Sequence, residues 1–225
     1  MKTPSAAERL FEKLSTFPVM GVRLNPKNSI SMDFSAANPA LATIDLKDIE
    51  AFNRFVFDQL ERANVKFGFG GYFEKRAIYQ RSQVFGLGAE KFRNIHLGID
   101  IWAEAGTPVF APLDGKVHSF QDNAGFGNYG PTIILEHEYG GEVFFTLYGH
   151  LSLTDFEGLK SGRSIAAGQK FCHLGSFSEN GDWPPHLHLQ LILDMGGNWG
   201  DFPGVCAAED EAKFRSICAD PSVFL

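Results

Sequence analysis

Hydrophobic and polar positions keep three different rhythms along the chain. First, Leu10, Phe11, Leu14 and Phe17 recur at helical spacing behind a Ser5/Glu8 capping box, which predicts a short helix from Ser5 to Phe17. Ile30-Ser31-Met32-Asp33-Phe34 then alternates strictly between apolar and polar, the pattern of a strand with one buried face. From about Asp45 to Asn64 the helical period returns. Ile49, Phe52, Phe55, Val56, Leu60 and Ala63 share one face, and Lys47, Asp48, Glu50, Arg54, Asp58, Glu61 and Arg62 cover the rest. Gly68-Phe69-Gly70-Gly71-Tyr72 is too glycine-rich for a helix and lacks the lysine of a phosphate loop, so it reads as a turn beside a strand.

From about Asn94 to Asp194 the rhythm shortens to strands punctuated by Gly, Pro and Asn: Ile95–Trp102, Thr107–Ala111, Gly115–Phe120, Thr132–His137, Glu142–Leu147 and His186–Leu193. No helix-length segment separates them, which predicts an antiparallel β sandwich or barrel. A short helical stretch from Ala207 to Ile217 follows. The chain is thus expected to be mainly β in three parts. An N-terminal α+β extension over 1–90, ending near Ala89, packs on a β domain over 91–197, and a tail with a short helix covers 198–225. No solenoid repeat or low-complexity segment is visible.

Composition narrows the function classes. The chain has 225 residues, 44% of them apolar and 21% charged, enough for one domain with a core that needs no cross-links. No apolar run approaches the roughly 18 residues of a membrane span, so no membrane insertion is expected. Twenty basic against 27 acidic side chains leave a net charge of −7, the wrong sign for a nucleic-acid partner. The opening residues lack the apolar core and cleavage site of an export signal, which predicts a cytoplasmic protein. Cys172, Cys206 and Cys218 are odd in number and show no C-x-x-C spacing, so free buried thiols are expected. The unusual number is 22 Phe against 5 Tyr and 3 Trp, which suggests a thick core or a covered surface.

Chemistry concentrates in the histidines. In a continuous strand, His96 and Asp100 at i, i+4 would leave one face, with Ile95, Leu97, Ile99 and Ile101 on the other. His186-Leu187-His188 repeats that logic at i, i+2, and Tyr148 and His150 share a parity as well. Two imidazoles and a carboxylate presented from adjacent strands, with one position open, form the ligand set of a catalytic zinc. Water in the open position loses a proton near neutral pH. His118, His137 and His173 stand outside this pattern and read as structural or surface histidines. Trp183-Pro184-Pro185 reads equally as a groove wall or a rigid turn, while Phe144, Phe145 and Phe171 read as core.

These blocks resemble the lysostaphin-type zinc endopeptidases of bacterial cell walls. The likeness runs from Ile95 to Leu193 through His96-Leu97-Gly98-Ile99-Asp100, Ala105-Gly106-Thr107-Pro108-Val109-Phe110-Ala111-Pro112, Gly115-Lys116-Val117, Tyr148-Gly149-His150-Leu151-Ser152 and Pro185-His186-Leu187-His188-Leu189, in the family's order. It implies a two-sheet antiparallel β core of the duplicated hybrid motif type, with a groove over one Zn2+ per chain. The resemblance puts the metal ligands at His96, Asp100 and His188. His150 and His186 match the family's two catalytic, non-ligand histidines. The implied reaction is hydrolysis of a peptide amide bond in a peptide or muropeptide substrate. The competing class is a non-enzymatic zinc-binding protein that keeps the fold for interaction or regulation, and retention of all five positions favours the enzyme. A phosphoryl carrier on paired histidines would have no use for Asp100. The segment up to about Lys91 matches no wall-binding module. Its apolar helix face needs a partner surface, which predicts that it packs on the β core and narrows or covers the groove.

Overall fold

A computed structural model of the chain describes residues 14–86 and 91–225. Most of the expected Ser5–Phe17 helix and the boundary near Ala89 lie outside them, and Leu14 to Phe17 carry no helix. Phe17 instead anchors to the β region, its N–H donating to the Pro112 carbonyl (2.9 Å) and its ring lying 5.7 Å from Phe110.

In chain order the elements are β1 (Ser29–Ser31), α1 (Ile49–Ala63), β2 (Phe67–Gly70), β3 (Ile95–His96), β4 (Ile99–Trp102), β5 (Pro108–Phe110), β6 (Gly115–Asn123) and β7 (Gly130–Tyr139). After them come β8 (Glu142–Gly149), β9 (Ser164–Ile165), β10 (Lys170–His173), β11 (His186–Ile192), β12 (Val205–Cys206), α2 (Glu211–Ile217) and β13 (Cys218–Ala219). Among the described residues, nine strands form one sheet in the order β1-β2-β4-β11-β8-β7-β6-β9, with β13 on the end of β11. Only β1 and β2 run parallel, which makes the sheet mixed. β5 with β10, and β3 with β12, make two short ribbons.

The expected mainly β class therefore holds, whereas the large sheet is single and mixed where two antiparallel sheets were expected. The difference comes from the N-terminal segment. β2 hydrogen-bonds along β4 with Gly70 opposite Asp100, so residues of the expected extension belong to the same sheet as the histidines. β1 is also shorter than the alternation at residues 30–34 predicts. The Asp33 carboxylate accepts from the Ser35 N–H (2.8 Å), a local turn that takes the chain out of the ladder and turns Phe34 into a core.

β11 is buried along its whole length, as a central strand covered on both faces must be. Leu187, Leu189 and Leu191 join Ile99, Ile101, Ile133, Leu135 and Tyr148 in the main core. The opposite face carries His186 and His188, and two smaller cores flank it. One gathers Phe34, Phe52, Val56, Leu60, Trp102 and Trp183; the other gathers Ile95, Leu97, Ile192, Phe202, Cys206 and Cys218. Helix α1 supplies Phe52, Val56 and Leu60 at i, i+4, i+8, starts at the Asp48 cap and ends at Asn64 in the left-handed region (φ 51°). The phenylalanine excess finds its place here, in rings such as Phe34, Phe52 and Phe85 wedged between the N-terminal segment and the sheet. The three cysteines are free and buried.

Candidate metal centre

Sequence parity puts His96 and Asp100 on one face of one strand. The structure breaks that strand at Leu97-Gly98. His96 sits in β3, paired with Val205, while Asp100 sits in β4 directly across from His188. Gly98 makes the break sterically feasible: a Cβ there would lie 2.5 Å from the Leu189 carbonyl oxygen and 3.0 Å from the His188 ring. The chain thus swings Leu97 into one core and Ile99 into another, and folds His96 back over the sheet toward Asp100.

One ligand atom each from His96, Asp100 and His188 lie within 4.8 Å of one another, and all three residues are buried. Asp100 Oδ1 is 3.2 Å from His96 Nε2 and 3.1 Å from His188 Nδ1, and those two nitrogens are 2.8 Å apart. The outer ring atoms fix the tautomers. His96 Nδ1 donates to the Gly71 carbonyl (2.9 Å), and His188 Nε2 donates to Gln190 Oε1 (3.1 Å) with the Tyr129 hydroxyl 3.3 Å away. Each inner nitrogen is then a lone pair. Two lone pairs and a carboxylate oxygen face one another in a buried site, a donor set that could hold a cation.

His186 and His150 flank this trio without joining it. His186 Nδ1 donates to the Pro184 carbonyl (2.7 Å) and its Nε2 points toward Asp100 Oδ1 at 3.8 Å. His150 Nδ1 donates to the Asn180 carbonyl (2.8 Å), and the two rings lie 4.2 Å apart. His150 holds a left-handed backbone (φ 62°) just past the end of β8, an unfavourable conformation for a residue with a Cβ. It is pinned there by its N–H to the Tyr129 carbonyl (2.9 Å) and its own carbonyl to the Gly175 N–H (2.8 Å). Burial holds His150 neutral, well below the usual range, and pushes His186 down to about 4 and His96 to about 3. For Asp100 burial opposes ionisation, but the neighbouring His96 and Arg76 outweigh it and keep the carboxyl well below its usual range. With His96 neutral, Arg76 is the charge that sustains this at neutral pH.

Several participants carry no signal in the sequence. Gln190 does extend the same-face parity of His186 and His188, but Tyr129 and Arg76 come from segments with no motif. Tyr148, whose parity matches His150, is not part of the site. It points into the main core and its hydroxyl accepts from Thr146 Oγ1 (2.9 Å). A cavity of about 340 Å³ opens over the trio, walled by Trp183, Tyr129, Tyr79 and Phe85. Trp183 is both wall and fixed turn, with its indole N–H donating to the Asn128 carbonyl (3.2 Å).

The other histidines sit elsewhere. His118 packs on Phe145 and Trp199, and His173 pairs with Asp155 (2.9 Å). His137 is bonded to the Asp114 carbonyl and Thr146 Oγ1 at 2.9 and 2.7 Å. Burial lowers the His137 pKa, so the fold favours its neutral form. Its stabilising contribution is complete above the unfolded histidine value of about 6.5 and drains away as the pH falls below that. His137→Gln should therefore flatten the decline of Tm between about pH 7 and 5, and an unchanged decline in the variant would refute this role.

Residues 94–198 match peptidase family M23. The chain carries an M23 family domain. It is 32% identical over 130 residues to the DD-carboxypeptidase/endopeptidase Mpg of Neisseria meningitidis serogroup B, covering 56% of this chain and 27% of that protein. It is 32% identical over 98 residues to the peptidoglycan DD-endopeptidase ShyA of Vibrio cholerae, covering 44% and 20%. The matched stretch thus spans only about a fifth to a quarter of those relatives. Among solved structures, the catalytic domain of the antimicrobial peptidase lysostaphin from Staphylococcus simulans is 28% identical, with 53% of this chain and 80% of that chain covered and a TM-score of 0.34. The M23 domain contains all five histidine and aspartate positions, whereas Arg76 and Tyr79 lie before it. The expected cytoplasmic location is overturned by the relatives. They include peptidoglycan endopeptidases and an Escherichia coli lipoprotein that is 37% identical over 79 residues, and peptidoglycan lies outside the cytoplasmic membrane. No described helix is long and apolar enough to cross a membrane.

Proposed function

We propose that this chain is a zinc-dependent metalloendopeptidase that hydrolyses a peptide amide bond in peptidoglycan or a similar peptide, with zinc held by His96, Asp100 and His188. The observation that carries the reading is the convergence of His96 Nε2, His188 Nδ1 and Asp100 Oδ1, each left as an acceptor by its outer hydrogen bonds. Two imidazoles and one carboxylate suit zinc in number, type and charge. Zinc bound there would supply a Lewis acid for the scissile carbonyl and for water in the open position.

The rest of the chemistry belongs to the protein. His150 and His186 are buried and neutral, with their Nε2 atoms free of donors among the described residues, so one imidazole can take a proton from water and return it to the leaving amine. The site residues are themselves buried, which strengthens the electrostatic interactions among them. Arg76, Ile78, Tyr79 and Phe85 line the cavity, which supports the view that the N-terminal segment narrows the groove to a slender peptide. The names of the relatives favour muropeptides as that peptide.

Protein purified without chelator should contain close to one zinc per chain. A mass-spectrometric screen of muropeptides and glycine-rich peptides should show a cleaved amide with new amino and carboxyl ends. Chelation should abolish cleavage, and zinc should restore it. Metal-free protein would refute the ligand assignment; zinc-loaded protein inert toward every peptide would favour the non-enzymatic class.

A further inference from the structure

The two oxygens of Asp100 face different partners. Oδ1 points at His96, His188 and, further off, His186. Oδ2 is taken by the guanidinium Nη1 of Arg76. Arg76 is 1% exposed and belongs to the segment that precedes the M23 match. Its remaining donors are also engaged: Nε to Glu74 Oε2 (2.8 Å), Nη1 to the Tyr79 hydroxyl (3.3 Å) and Nη2 to the Gly70 carbonyl (3.3 Å). Glu74 is fixed in turn, because its Oε1 accepts from the Phe34 N–H (3.1 Å) and its carbonyl from the His96 N–H (2.9 Å). The guanidinium lies 5.7 Å over the rings of both Phe34 and Trp102.

We propose that Arg76 is a positioning residue of the metal site: it claims Asp100 Oδ2 and so restricts Asp100 to binding the metal through Oδ1 alone. This rests on the zinc reading above. A free carboxylate can swing or offer both oxygens to a cation. A buried, charge-assisted bond to a rigid planar donor forbids it. The positive charge also offsets Asp100 in a buried site, leaving Oδ1 as an aimed donor. The N-terminal segment is then part of the metal centre as well as a wall beside it. Gly71 joins the two roles, since its carbonyl orients His96 and the neighbouring Gly70 carbonyl holds Arg76. A purely structural Arg76 would neutralise Asp100 for folding and leave metal geometry untouched, so the two accounts differ in what a metal reports.

The test uses the full chain, with zinc affinity from competition against a chromophoric chelator and the visible spectrum of the cobalt-substituted protein. Arg76→Gln should weaken zinc binding about 10–100-fold, the usual range for outer partners of metal ligands. Its cobalt bands should lose intensity as the second carboxylate oxygen enters and raises the coordination number. Arg76→Lys keeps the buried charge without the fork. It should fold even where Arg76→Gln does not, with intermediate affinity and a spectrum shifted the same way. Variants that fold, bind zinc within about twofold of wild type and keep its cobalt spectrum overturn the proposal; either variant alone suffices for that result. Wild-type protein that binds no zinc fails earlier and separately, and takes the zinc reading with it.

Discussion

Alanine in place of His150 should lower turnover about 10²–10⁴-fold while zinc stays bound, the loss expected when a proton-transfer group is removed. The geometry separates the two effects. The His150 ring lies 6.4 Å from the His188 ring and is held by Asn180, so its loss leaves the trio intact. Asp100→Ala, by contrast, should lose zinc and activity together. His186→Ala should resemble His150→Ala, because both rings offer an unprotonated Nε2 and lie 4.2 Å apart. If they act as one proton-handling unit, the double variant costs less than the product of the two single losses. Steady-state rates on the cleaved muropeptide, with zinc measured on the same samples, decide this. Full activity in His150→Ala removes it from the mechanism, and zinc loss in that variant makes it a structural support of the site.

Much of the candidate centre was legible in the sequence because His96, Asp100 and His188 stand in short motifs that the structure brings together. His186 and His188 share a face of β11 as parity requires, and helix α1 lies within the span its apolar stripe predicts. Parity failed where the chain left the ladder. His96 and Asp100 occupy two different strands because Gly98 lets the backbone pass close beneath Leu189, and one glycine gives no sequence signal for that departure. Arg76 was invisible for a stronger reason. An arginine in Glu74-Lys75-Arg76 reads as a solvated charge, and only tertiary closure buries it against Asp100. The single mixed sheet was equally hidden, since β1 and β2 are short strands far in sequence from β4.

The second large effect concerns stability and lies outside the M23 domain. Phe34 is fully buried, with its ring 4.6 Å from Trp102, 6.0 Å from Phe52 and 6.2 Å from Phe55. It therefore ties the N-terminal segment and α1 to the sheet strand that carries Asp100. Phe34→Ala removes a whole ring from a packed cluster and should cost about 3–5 kcal/mol, transfer and cavity together. For a chain of this length that lowers Tm by on the order of 10 °C. Trp102, the ring Phe34 supports, stacks on His186 at 5.6 Å, so loosening it should reach the face that carries His186 and His188 and reduce activity below the new Tm. Because β2 is hydrogen-bonded into the sheet beside Asp100, the melt should stay a single transition moved as a whole. A separately folding extension would behave otherwise, with two transitions of which only the smaller shifts and a peptidase activity that survives it. Calorimetry and activity on the same preparation distinguish these. A single shifted transition would mean that the face carrying His186 and His188 and the N-terminal segment fold together, because they share Phe34, Trp102 and the Arg76–Asp100 pair.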